Sequence, residues 1–327
     1  MIKWTRRHWL AAAAASPLSL PHARAQKPGF PLRRVTFVVP FTPGGAGDLI
    51  ARVLAPQLAA IWGQSVVVEN RPGAGGNTGS KSVALAPADG HTILIGSTSS
   101  HAINPSLYGA KMPYDVQRDF AHVAMAAISP HILMVHPGLP VTTVAELIAY
   151  ARTHPGKLNF SSGGNGTSTH LAGELLNSMA GIRMVHVPYR GAPEAVAGVI
   201  AGDTQLMFEN LAGALSQVRG GRLRGLAVSS LKTLSQAPGL PTVAETVPGF
   251  ETGVWFAIFA PSTTPADVVT KLNLDINTVL QSEQTRSQLA KLGMQAMAGS
   301  SSEATRFVAE ETAKWAKVVA ASGARID

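Results

Sequence analysis

Two short stretches carry the residues best suited to holding a ligand: Thr42-Pro43-Gly44-Gly45-Ala46-Gly47 and Ser161-Ser162-Gly163-Gly164-Asn165-Gly166-Thr167-Ser168. Each follows a strand-like run and precedes a helix-like one. A glycine turn that opens a helix leaves backbone N–H groups unpaired and aims the positive end of the helix dipole at the loop, which favours an anion. Glycine also lets a ligand approach main chain that a Cβ would shield. One such turn is no more than a connection; two in matching positions point to a ligand held from both sides. Ser97-Thr98-Ser99-Ser100-His101 adds hydroxyls beyond another strand-like run. Ser162, Thr167 and Ser168 are the counterpart in the second stretch, and His170 falls in the first turn of the helix after it. Asp48 sits in the first turn of the first helix and reads as a capping carboxylate rather than a ligand group.

Other chemistries lack their residues. The chain has no cysteine, so disulfides, thiol nucleophiles and thiolate metal sites are excluded. No G-x-G-x-x-G, Gly-Lys-Ser/Thr phosphate loop, G-x-S-x-G or His-Glu-x-x-His occurs. The histidines are scattered without metal-ligand spacing, and the sequence calls for no metal or cofactor. An exported esterase using Ser99 or Ser168 with His101 or His170 is the enzymatic alternative, but no acid, base and nucleophile recognisably converge. The net charge of +8 falls to +4 without Lys3, Arg6, Arg7 and Arg24. That residue of charge is too dilute for nucleic acid and fits steering of small anions.

The elements that must position these residues alternate. Val35–Val39 reads as a strand, Leu49–Ile61 as a helix, Val66–Val68 as a strand, Thr78–Ala86 as a helix and Thr92–Ile95 as a strand. A related β/α series runs from Leu158 to Val228, then an apolar strand over Val254–Ala260 and helices near Ala266–Leu280, Glu283–Leu292 and Ser302–Ala321. Such alternation predicts parallel sheets covered by helices. At 327 residues and 46% hydrophobic content, two lobes are more natural than one core. The expected division is residues 31–128 plus 253–327 for a discontinuous lobe 1 and 129–252 for lobe 2. The crossovers fall near Ile128–Pro130 and Thr252, and the C-terminal helices pack on one lobe. Residues 1–25, with a basic start, an apolar middle and Ala23-Arg24-Ala25, have a signal-peptide layout, Sec or twin-arginine, which implies export to the periplasm.

Val39-Pro40-Phe41-Thr42-Pro43-Gly44-Gly45-Ala46-Gly47-Asp48, Glu69-Asn70-Arg71-Pro72-Gly73-Ala74-Gly75-Gly76, Asp89-Gly90-His91-Thr92 and Val187-Pro188-Tyr189-Arg190-Gly191 together resemble the Bug family. These are the TctC-like extracytoplasmic solute receptors of tripartite tricarboxylate transporters. The likeness continues through Pro241–Glu245, Trp255–Pro261 and Trp315–Val319. It implies an α/β, two-lobed periplasmic binding protein of the type II, Venus-flytrap kind with a mostly parallel sheet in each lobe. It further implies a monomer that binds a di- or tricarboxylate without catalysis and hands it to membrane permease subunits. A sensor that presents the bound form to a signalling receptor would share the same pocket. By position the family's ligand groups carry over to Thr42, Gly44, Gly45 and Ala46, to Thr98 and Ser99, and to Ser162, Gly163, Thr167 and Ser168. Tyr189, Glu209 and Asn210 sit where the family lines the variable side of the pocket. Many members have Asp before that Asn, so Glu209 departs from the pattern.

Overall fold

The computed structural model describes residues 29–322 and 324, so the signal-peptide segment 1–25 lies outside the described residues. The first half opens with β1 (Val35–Val39), α1 (Ala46–Trp62), β2 (Val66–Asn70), α2 (Asn77–Ala84) and β3 (Thr92–Ser97). Both β2 and β3 pair with β1 in parallel, as connections through helices require. Alternation along β1 sends Val35, Phe37 and Val39 to one face and Val38 to the other. On the first face they meet Ile50, Leu54 and Leu58 of α1, a stripe at helical spacing that ends where Gly63 takes a left-handed conformation. A π-helical turn over Ser99–Ile103 follows β3, and then α3 (Asn104–Tyr108).

Next comes β4 (Phe120–Val135), 16 residues long. It joins the halves. Its register with β9 (Gly253–Pro261) runs to the Pro130 and Gly253 pair; from His131 and Asn210 onward its partner is β7 (Leu206–Asn210). Proline cannot donate to a ladder, and Pro130 sits where one set of partners is exchanged for the other. Between these strands lie α4 (Val144–Thr153), β5 (Asn159–Ser162), α5 (Ser168–Ala180), β6 (Val185–Pro188) and α6 (Ala192–Ala201). After β7 come α7 (Leu211–Arg219) and β8 (Arg224–Val228), and after β9 come α8 (Ala266–Gln281), α9 (Glu283–Lys291), β10 (Gln295–Ala296) and α10 (Ser301–Ser322).

The strand order is β2-β1-β3-β9-β4-β7-β5-β6, with β8 and β10 also paired to β4. β5 is parallel to β6 and β7, while β9 opposes β3 and β4, β10 opposes β4, and β4 opposes β7 and β8, so each half is mostly parallel, with β9 and the short β10 reversed in the first and β4 in the second. β4 feeds both cores of the second half: Leu133 and Val135 pack with Phe160 and Leu176, and Ile132 and Met134 with Val199 and Leu215. The C-terminal helices do not all settle on one half. α8 packs on β4 and α1, but α10 packs on both the π-helical turn and α5. Its Trp315 shares an apolar cluster with Leu171 of α5.

Candidate ligand-binding site

A cavity of about 600 Å³ lies between the halves. The C-terminal ends of β1, β3, β5 and β7 all reach it, the usual location for ligands in sheets of this kind. One wall is the start of α1, the loop Pro72–Gly76, Ser97, Ser99 and Phe256; the other is the starts of α5 and α6 with Asn210.

The helix starts explain why the wall favours an anion. The N-caps of α1 and α6 are Gly45 and Gly191, which have no side chain to cap with. The N–H groups of Ala46, Gly47 and Ala192 accordingly make no hydrogen bond to protein among the described residues. α5 differs: the Thr167 hydroxyl accepts from the His170 N–H, and the Ser168 N–H donates across the cleft to Ser99 Oγ at 2.9 Å. Ser97 and Asn210 also line the cavity. Unpaired helix-start N–H groups from both walls of one cavity suit a ligand that accepts hydrogen bonds.

Of the residues expected from sequence, Thr42, Gly45, Ala46, Ser99, Gly163, Thr167, Ser168, Tyr189 and Asn210 line the cavity. Gly44, Thr98, Ser162, His170 and Glu209 do not, and each is occupied elsewhere. The Gly44 N–H donates to Asp48 Oδ2, which also accepts from Arg52 Nε, while Asp48 Oδ1 accepts from Asn70. Burial opposes the Asp48 charge, but these hydrogen bonds outweigh it and hold the carboxyl below its ordinary range, in keeping with its capping role. The Thr98 hydroxyl accepts from the Trp255 N–H at 2.8 Å. Ser162 Oγ bonds His186 Nε2 at 2.6 Å, and His170 stacks on His186 with ring centres 3.8 Å apart while its Nδ1 accepts from the Gly166 N–H. These residues hold the second glycine turn in place from behind. Glu209 is 2% exposed. Its carboxylate faces Gly213 at the start of α7, and burial pushes its carboxyl up to about 7, partly offset by hydrogen bonds from Asn210.

Sequence reasoning missed other parts of the wall. Pro72–Gly76 belongs to a run that carries the family resemblance but was not expected in the wall, although Gly73, Gly75 and Gly76 all have positive φ and the run Gly-Ala-Gly-Gly could have marked a tight turn. Phe41, Tyr108, Arg190 and Val254 also line the cavity. His131 was missed because nothing local marks it: Nε2 stands 3.3 Å from Ser168 Oγ and Nδ1 3.2 Å from Thr252 Oγ1. Burial drives this imidazole down to about 3, only slightly opposed by Asn210, so it is neutral. Serine, histidine and a hydroxyl in place of an acid do not make a triad. His101 is equally spent, fully buried, stacked 4.0 Å from Phe259 and bonded to Ser100 Oγ. Among the described residues no cluster of three or more His, Asp or Glu could hold a metal, and no helix is long and apolar enough to cross a membrane.

The comparisons agree with this geometry. Residues 50–324 match the family described as "Tripartite tricarboxylate transporter family receptor". A Pseudomonas sp. protein, described as a UPF0065 protein in the tcbD-tcbE intergenic region, is 40% identical over 317 residues, 96% of this chain and 94% of its own. BugT of Bordetella pertussis is 36% identical over 299 residues, 91% of each chain. Among solved structures, an R. palustris protein with adipate is 39% identical with a TM-score of 0.88, covering 91% of this chain and all of its own. MatC of Rhodopseudomonas palustris with bound malate is 31% identical with a TM-score of 0.84, covering 89% of this chain and all of its own. The sheet order, the cleft at the strand ends and these matches lead to one conclusion: the chain belongs to the TctC (Bug) family of tripartite tricarboxylate transporter receptors, α/β solute-binding proteins of the periplasmic binding type.

Proposed function

We propose that this chain captures a small organic carboxylate between its halves in the periplasm and delivers it to the membrane permease of a tripartite tricarboxylate-type transporter. Residues 31–128 with 253–327 act as one lobe and 129–252 as the other, and the protein works as a monomer without cofactor or catalysis. The observation that carries this reading is the convergence on one cavity of helix starts from both halves, with the Ala46, Gly47 and Ala192 N–H groups unpaired. A carboxylate placed there satisfies donors that otherwise lack partners. Relatives with adipate and with malate support the ligand class, and the family description supports delivery to a permease. Titration calorimetry of the purified protein against a panel of mono-, di- and tricarboxylates tests the reading. Saturable 1:1 binding of at least one acid, with no turnover of a chromogenic ester, is the expected result; no heat with any acid, or ester hydrolysis lost in Ser168→Ala, refutes it.

A further inference from the structure

The charge and surface of the cavity wall say more about the ligand than that it is an anion. Among the described residues that line the cavity, Arg190 alone carries a formal charge. It is exposed at the mouth, makes no ion pair with a described residue, and precedes the open start of α6. One ligand carboxylate is therefore met by helix-start N–H groups and a second by Arg190, but a third finds no counter-charge. It would instead be brought toward a region that already holds the buried carboxyls of Asp48, behind the start of α1, and Glu209, next to Asn210. Taking an uncompensated carboxylate out of water is costly.

The remaining wall combines hydroxyl and amide side chains such as Thr42, Ser168 and Asn210 with a larger share of apolar surface. Phe256 and Val254 of β9 are each 3% exposed and line the cavity with Phe41 and Pro72. Glycines seat the two phenyl rings: a Cβ on Gly47 would stand 3.2 Å from Phe256 Cε1, and one on Gly76 would stand 3.0 Å from Phe41 Cζ. A ligand hydroxyl placed against these rings would lose its water without gaining a partner from them, whereas a hydrocarbon body would not.

We infer that the cavity, with Arg190 at its mouth and Phe41 and Phe256 in its wall, is built for a carboxylate on a hydrocarbon body, aryl or alkyl, bearing at most one further acidic group. It discriminates against hydroxylated di- and tricarboxylates. This rests on the carboxylate-binding reading above and narrows it, making Arg190 the residue that reads the second carboxylate.

Calorimetry with adipate, benzoate, malate and citrate at pH 7.5 tests it on the intact protein. Adipate or benzoate is expected to bind at least tenfold more tightly than malate and citrate, whichever of the two bodies fits better. Arg190→Gln, at an exposed position, should weaken adipate at least fivefold and benzoate less than twofold. In Phe41→Ser, with folding verified by its melting curve, the preference for adipate over malate should shrink severalfold. Citrate or malate binding as tightly as the better hydrocarbon acid overturns the inference while leaving carboxylate capture standing, as does equal weakening of mono- and dianion by Arg190→Gln. Silence toward all four acids overturns both.

Discussion

Glu209 and the buried histidines make stability depend on pH in opposite senses. His131 and His186 are held down to about 3 and His122 to about 4, in each case chiefly by burial. The unfolded chain takes up protons at these sites below 6.5 and the folded chain refuses them. Their contribution is therefore complete above 6.5 and lost progressively as pH falls toward 3. Glu209 works the other way. Its carboxyl rises from 4.5 to about 7, so its full contribution is present below 4.5 and is lost as pH climbs to 7. Between 4.5 and 6.5 the two trends oppose, and three histidines outweigh one carboxyl, so urea midpoints should rise with pH through this interval. Above pH 7 the fold carries a buried carboxylate, and Glu209→Gln should stabilise the protein at pH 8 by about 2–3 kcal/mol and have little effect at pH 4. Denaturation curves at the two pH values decide it; equal effects at both would mean that Glu209 is not buried in the charged form at pH 8.

Between the elements that face each other across the cleft, glycines set how closely they meet. A Cβ on Gly191, at the start of α6, would collide with the Thr42 side chain before α1, and one on Gly75 would lie 2.7 Å from the Asn165 carbonyl oxygen in the opposite half. Gly191 has φ 179°, extended backbone open to any residue, so its requirement is purely one of space across the cleft. Gly191→Ala is accordingly expected to melt within about 1 °C of the parent without ligand but to lose tenfold or more in carboxylate affinity, because the methyl group props the two helix starts apart. Undiminished affinity in calorimetry would show that the halves need not approach this closely. Such contacts are invisible in the sequence, whereas the elements that make them are not. β1, α1 and β9 were legible because alternation, a 3.6-residue stripe and a continuous apolar run are local signals. The turns at Gly45 and Gly163 could be located because their chemistry is in the main chain. The single strand through Pro130, the hold of α10 on α5 and the occupation of Thr98, Ser162 and His170 by partners behind the wall all depend on residues distant in sequence. No periodicity encodes them.

In the whole molecule the halves meet at the cleft, at the spine of connecting segments and along α10. Across the cleft, Ser168 N–H to Ser99 Oγ is a direct hydrogen bond between the halves, worth about 1 kcal/mol, and glycine-lined contacts add little. At the spine, by contrast, Ser229 binds both connecting segments: its Oγ accepts from the His131 N–H at 2.8 Å and donates to the Thr252 carbonyl oxygen at 2.6 Å. His131, next to Pro130, reaches both Thr252 at that spine and Ser168 in the cavity wall. Opening the cleft would break the Ser168 to Ser99 hydrogen bond, whereas the Ser229 bonds at the spine and the packing of α10 on α5 also tie the halves together. If, as proposed, a carboxylate is held by N–H groups from both halves, it favours whichever form brings those groups together and shifts the population by the difference in affinity. Small-angle scattering should consequently record a smaller radius of gyration with saturating ligand than without it, and at 100 times Kd the melting temperature should rise by several degrees, as expected for about 2.7 kcal/mol of linkage. A melting shift without any change in scattering would mean that the halves are already closed before the ligand arrives. The Ser99 to Ser168 bond, rather than the anion, would then be what holds the cleft shut, and Ser99→Ala would restore the ligand-dependent change.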